Sequence, residues 1–159
     1  VIAAYVGIGS NQGNARAHVL EAFDELARLP DTYLTARSSL YRSAPVDAPG
    51  QPDYVNAVAA LDTELSAAQL LDALQGIERR HGRERPYPNA PRTLDLDLLT
   101  YGDLILDSPM LTLPHPRMHQ RAFVLRPLVE LDPRAEVPGR GRAANLLAAC
   151  SDQQVERLD

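Results

Sequence analysis

The stretch Leu94-Asp95-Leu96-Asp97-Leu98 alternates apolar and acidic residues, and on a β-strand alternate side chains share a face. Leu94, Leu96 and Leu98 then face a core. Asp95 and Asp97 project from the other side with α-carbons about 6.6 Å apart. Two carboxylates that close repel unless a cation or guanidinium lies between them. A hard divalent ion satisfies such a pair, and Mg2+ held together with nucleotide phosphate needs only one or two protein carboxylates. The same spacing also suits an amphipathic strand with a solvated acidic face. Arg92, just ahead of the strand, adds a group that can hold the phosphates that metals bridge; its plainer role would be to neutralise Asp95 or Asp97. Arg83, Arg85 and Arg121 are further candidates for the phosphates.

Other residues are individually weaker signals. The turn Gly7-Ile8-Gly9-Ser10-Asn11-Gln12-Gly13 has the spacing of neither a dinucleotide fingerprint nor a Walker loop, so its glycines are read as allowing close backbone approach or a positive φ. Tyr54 and Asn56 share one face of a strand, the first offering an aromatic edge and the second an amide that donates and accepts. Asparagine is disfavoured in strands, which favours a ligand-binding role for Asn56. His115, between two prolines, is read as a loop residue, with a phosphate or ribose contact as the sharper alternative. Phe123 is one of two phenylalanines, and core packing is its default.

Composition narrows the classes of function. All 16 basic residues are arginine, which removes Schiff-base lysines, the Walker lysine and the lysine of protein kinases. Residues 78–92 carry five arginines against two acids, and residues 115–126 three arginines against none, in a chain of net charge -5. Local guanidinium on an acidic chain suits one small polyanion better than a nucleic-acid surface. One cysteine, Cys150, makes neither an internal disulfide nor a cysteine-rich zinc site. No apolar run approaches the roughly 20 residues of a membrane span, and residues 1–30 show neither the basic flank nor the small-residue cleavage site expected of a secretory signal. The expectation is a soluble, cytoplasmic protein forming one domain over its 159 residues.

The elements that would position these groups follow from periodicity. Residues 1–8 read as a strand entering the glycine turn, and Asn11 or Asn14 can cap the helix in which Val19, Leu20, Phe23, Leu26 and Ala27 recur. Residues 33–41 and 54–61 read as strands, separated by a proline-rich loop over 43–53. Ser66 and Gln69 form a capping box for a helix running to Gly82. Three prolines in residues 83–91 indicate a long, mobile loop. A strand over 93–101, a loop over 109–116, a helix over 121–131 despite Pro127, and a short helix over 143–149 complete the order. That order suggests an α+β fold: a ferredoxin-like split βαβ, its antiparallel sheet covered by helices on one face.

Taken together, these residues resemble the 6-hydroxymethyl-7,8-dihydropterin pyrophosphokinase family over nearly the whole chain. The strongest block runs from Ala90-Pro91-Arg92-Thr93 through Leu94-Asp95-Leu96-Asp97-Leu98-Leu99. Gly9-Ser10-Asn11, Tyr41-Arg42-Ser43-Ala44-Pro45, Gln51-Pro52-Asp53-Tyr54-Val55-Asn56, Glu78 with Gly82-Arg83, Leu113-Pro114-His115 and Arg121-Ala122-Phe123 follow the pattern in order. The resemblance implies transfer of pyrophosphate from ATP to a pterin alcohol in folate biosynthesis. It implies two Mg2+ ions on Asp95 and Asp97, with Arg83 and Arg92 gripping the triphosphate during transfer. Glu78, Arg85, Thr112, His115 and Arg121 would be further ATP-side positions. The pterin would lie between Phe123 and the loop Ser43, Ala44, Pro45 and Val46, with Gly9, Tyr54 and Asn56 completing the pocket. The loop over 83–91 would close over ATP. Asn89 stands where some members carry tryptophan, and Pro88, Met110 and Pro116 also depart from the pattern, so no ATP contact is carried over to those last three. The expected partners are ATP and the pterin, without nucleic acid or membrane, and the expected state is a monomer. Two other readings stand beside it, a metal-dependent phosphoesterase using Asp95 and Asp97 and a non-catalytic ferredoxin-like module for RNA. The second would want more aromatics than 5% and a basic surface.

Overall fold

A computed structural model describes residues 1–45, 50–82 and 93–158. Val46, Arg83, Arg85, Asn89 and Arg92, and with them the loop expected over 83–91, lie outside the described residues. The chain begins with β1 (Ile2–Ser10), α1 (Ala15–Ala27), β2 (Thr32–Arg37), β3 (Tyr41–Ser43), β4 (Tyr54–Thr63), α2 (Ala67–Gly82) and β5 (Asp95–Tyr101). A β6–β7 hairpin (Leu106–Asp107 and Thr112–Leu113) and a 3-10 turn (Met118–Gln120) lead into α3 (Ala122–Leu131). The short pair β8 and β9 (Glu136–Val137 and Gly141–Arg142), α4 (Ala143–Ala148) and β10 (Val155–Arg157) end it.

β1 is flanked by β4 and β5, both antiparallel to it, and β2 and β3 pair successively with β4. This is the split βαβ order expected from the sequence, with β10 added outside β3. The strand expected over 33–41 is broken in two for a local reason. The Ser38 hydroxyl accepts the Val58 N–H at 2.8 Å while the Ser38 N–H donates to the Val58 carbonyl at 2.9 Å. A side chain thereby takes over a ladder bond, and β3 restarts in a new register opposite Tyr54 to Asn56.

Helix starts follow the caps. The Asn14 carboxamide accepts from the Ala17 N–H at 3.1 Å, and Ser66 and Gln69 exchange bonds at 2.9 and 3.1 Å. Parity along the strands then divides the interior. Ala4, Val6 and Ile8 of β1, Ala57, Ala59 and Leu61 of β4, and Leu96 and Leu98 of β5 pack against α1 and α2. Val58 and Leu99 face the other way, into a second cluster with Leu125 and Leu128 of α3 and Ala143 of α4. The sheet is therefore covered on both faces, where the sequence reading had expected one. α3 buries Ala122, Val124, Leu125, Pro127 and Leu128, and such an apolar stripe must find a second face to cover.

Candidate active site

β1 carries two glycines at its C-terminal end on the face away from α1 and α2. A Cβ at Gly7 would meet Leu99 Cδ2 at 3.3 Å, and one at Gly9 would meet Asn56 Oδ1 at 3.5 Å. Leu99 packs over Gly7, while the absence of a side chain at Gly9 leaves space beside Asn56 and Tyr54. The result is a cavity of about 330 Å3.

Its walls come from distant parts of the chain. Gly9 belongs to β1, Ser43, Ala44 and Pro45 to the end of β3 and the segment after it, and Tyr54 and Asn56 to the start of β4. Asp95 and Asp97 reach it from β5, and Arg121 and Phe123 from the N-terminus of α3. Register explains the meeting: Gly9 lies opposite Asn56 on one side and Asp95 on the other, and Gly7 opposite Asp97. The two acids thus share a face with the glycines, as alternation requires.

Hydrogen bonds hold the walls in place. The buried Asn56 carboxamide donates to Ser43 Oγ at 2.7 Å, linking β4 to β3. The Ser10 hydroxyl, fully buried, donates to the Thr93 carbonyl at 2.5 Å and so fixes the entry to β5. The Asn11 amide donates to Gln51 Oε1 at 3.1 Å and to the Pro52 carbonyl at 3.2 Å, tying the glycine turn to the chain entering β4. The Arg121 guanidinium lies 5.4 Å from the centre of the Phe123 ring, within cation–π range.

Electrostatics connect the acids to their neighbours. Burial pushes the Tyr54 phenol above its usual range, and the charge of Asp95 adds to the effect. Burial pulls the His115 imidazole below its usual range; Asp97 opposes this, and Arg121 and Arg117 reinforce it. His115 is placed by its N–H, which donates to the Leu99 carbonyl at 2.8 Å, and so sits beside β5 within the field of Asp97.

The remaining candidates are placed differently. One Glu78 carboxylate oxygen accepts the Leu96 N–H at 2.9 Å, so this α2 residue grips the backbone between the two aspartates. Thr112 is half-buried in β7, opposite Asp107, and does not line the cavity. Among the described residues, four that line the cavity were not expected as site residues from sequence: Gly7, Ile8, Ala57 and Val124. Gly7 had a usable signal, because it precedes Gly9 by two and must share its face. The structural roles of Ser10 and Asn11 depend on partners 83 and 40 residues away and left no mark in local sequence.

The family model of 7,8-dihydro-6-hydroxymethylpterin-pyrophosphokinase (HPPK) matches residues 5–133. The chain belongs to this family. It is 49% identical over 154 residues to the 2-amino-4-hydroxy-6-hydroxymethyldihydropteridine pyrophosphokinase of Pseudomonas aeruginosa, covering 97% of this chain and 95% of that one. The protein of the same name in Haemophilus influenzae is 40% identical over 159 residues, covering 100% and 99%. Among solved structures, the Plasmodium falciparum HPPK-DHPS with pteroate matches at a TM-score of 0.71 and 13% identity, over 93% of this chain. This chain spans 42% of that longer protein, and at this identity the likeness concerns the fold. Membership of the HPPK family supports neither the phosphoesterase nor the RNA-binding reading. No helix among the described residues is long and apolar enough to cross a membrane.

Proposed function

We propose that this chain transfers the pyrophosphoryl group of ATP to the hydroxymethyl oxygen of 6-hydroxymethyl-7,8-dihydropterin, releasing AMP. The observation that carries the reading is one cavity whose wall holds both a carboxylate pair and a set of groups suited to a flat, polar heterocycle. Phe123 offers an aromatic face, Asn56, Ser43, Tyr54 and the backbone of Ala44 and Pro45 offer polar groups, and Gly9 leaves room for the ring. Val46 extends this set by resemblance.

Asp95 and Asp97 present hard oxygen donors on one face of β5 at the cavity wall, a donor set that fits Mg2+ accompanied by phosphate. Two such ions, when bound with ATP, would supply charge neutralisation and alignment of the phosphates. The chain's own part is positioning. Glu78 holds the Leu96 N–H and so fixes the strand between the two acids. Arg121, which lines the cavity, His115, which is in the field of Asp97, and Thr112 form the ATP-side group by resemblance. Arg83, Arg85 and Arg92 would grip the triphosphate, with Arg83 and Arg92 offsetting the charge that develops during transfer. The pterin oxygen forms a bond to the β-phosphorus, the bond from that phosphorus to the oxygen bridging toward the α-phosphorus breaks, and AMP leaves with that oxygen. The hydroxyl proton goes to solvent. No covalent enzyme intermediate is needed.

A monomer acting in the cytoplasm on these two small molecules is part of the same proposal. The test is AMP formation from ATP and Mg2+ with and without 6-hydroxymethyl-7,8-dihydropterin, with Asp97→Ala as control. Pterin-dependent AMP that falls by at least about a hundredfold in the variant is expected, the scale typical of losing a charge-stabilising group. Release of ADP, or AMP formation indifferent to pterin, would overturn the reading.

A further inference from the structure

On the opposite side of the sheet, α1 and α2 bring together three metal-binding side chains that have no part in the proposed reaction. His18 and Glu21 are one helical turn apart on α1, and His81 stands in the last turn of α2. One donor atom from each can be chosen so that all lie within 4.8 Å of one another. The two imidazoles meet edge to face with ring centres 5.3 Å apart, and their Nδ1 atoms are separated by 3.1 Å. Two nitrogens on a tetrahedral zinc ion, each bound at about 2.0–2.1 Å, lie roughly 3.3 Å apart. The nitrogens are therefore already near a shared coordination sphere.

The far side of His81 is organised in the same sense. Its Nε2–H donates to Glu25, whose carboxylate also pairs with Arg80 at 3.4 Å. His81 and Glu25 are largely shielded, with side-chain exposures of 8% and 17%. A carboxylate that holds one ring nitrogen leaves the other as a lone-pair donor, the arrangement that supports metal-bound histidine. The two facing Nδ1 atoms both become ligands in the tautomers that carry the ring proton on Nε2; the Nε2 of His18 faces the turn at Gly13, where a Cβ would lie 3.6 Å away.

We propose that His18, His81 and Glu21 form a binding site for a zinc-class transition ion that clips α1 to α2, with Glu25 orienting His81. Donor chemistry separates it from the aspartate pair: imidazole nitrogen suits zinc, cobalt or nickel, whereas Mg2+ takes oxygen. Three protein donors leave the fourth position to water. The inference is independent of the proposed pyrophosphoryl transfer.

The experiment is Co2+ and Zn2+ titration of the untagged full chain, and of Asp97→Ala so that the aspartate pair does not contribute. One Co2+ per chain with the intense visible absorption of tetrahedral imidazole ligation, displaced by Zn2+, is expected in Asp97→Ala, and the same absorption in the unsubstituted chain. Affinity should fall at least about tenfold in His18→Gln and His81→Gln and roughly tenfold in Glu25→Gln. Glu21→Gln, at an exposed position, should weaken binding while leaving the fold intact, should the His81 variant not fold. Absence of a tetrahedral Co2+ spectrum, binding unchanged in His18→Gln, or binding abolished by Asp97→Ala would each overturn the site.

Discussion

Gly9 and Gly7 have the same residue type on the same strand, yet a methyl group added to each would act differently. At Gly9 the new Cβ would lie 3.5 Å from Asn56 Oδ1 and 3.8 Å from Tyr54 Cδ1, ordinary contacts on the cavity wall. Gly9→Ala should therefore fold, with a stability gain of about 0.4–1 kcal/mol from the restricted unfolded chain. Its methyl occupies space the pterin would use, so kcat/KM for the pterin should drop roughly ten- to a hundredfold, with most of the change in KM. At Gly7 the Cβ would meet Leu99 at 3.3 Å inside the second core, so Gly7→Ala should lower thermal stability instead. Steady-state kinetics and melting curves of the two variants separate these outcomes. An unchanged pterin KM in Gly9→Ala would remove that residue from the pocket.

α3 closes the cavity with its N-terminus, but its opposite end decides where it lies. Glu130, in its last turn, accepts the Tyr41 hydroxyl at 2.6 Å and the Ser39 N–H and hydroxyl at 3.0 Å, pinning the helix to the segment leading into β3. Burial alone would raise the Glu130 pKa, but the hydrogen bonds from Tyr41 and Ser39 outweigh it and bring it below its ordinary value. Burial, and then the bond to Glu130, pushes the Tyr41 phenol up to about 12. A carboxyl with a depressed folded pKa contributes stability above its unfolded value and loses it as the pH falls through the folded one. The Tyr41 contribution is complete below pH 10 and is lost as the pH rises toward about 12. Glu130→Gln should flatten the acid limb of the stability profile, where the pH falls from the ordinary carboxylate range through the lowered Glu130 value, by at most about 1 kcal/mol because the carboxylate is exposed and screened. Denaturant midpoints measured from pH 3 to 7, together with ultraviolet titration of the tyrosines, check both ends. The capping box of α2 and the cap of α1 were legible beforehand because their partners lie three residues apart. The Glu130 anchor was not, since its partners are 91 and 89 residues away.

At the scale of the molecule, one sheet separates two cores. Leu70, Leu74 and Ile77 of α2 fill the first and Leu125 and Leu128 of α3 the second, all at 0–1% exposure. Because β1, β4 and β5 serve both, a cavity in one should weaken the whole cooperatively. Leu74→Ala should cost about 2–5 kcal/mol, lowering the urea midpoint equally by far-ultraviolet circular dichroism and by tyrosine fluorescence. Separate transitions for the two probes would mean that the faces unfold independently.

The sequence by itself determined the alternation of β5, the helix starts, the split βαβ order and the residue set that marks the family, because each depends on spacings of a few residues or on ordered motifs. It also carried the parity that sets Asp95 and Asp97 opposite the leucines. Tertiary structure decided that α3 and α4 cover the second face, that β2 and β3 break at Ser38, and that Ser10, Asn11 and Glu78 brace the walls. It also decided that His18 and His81 meet between two helices. These outcomes depend on partners tens of residues distant, and local periodicity holds no record of which distant surface a side chain will meet.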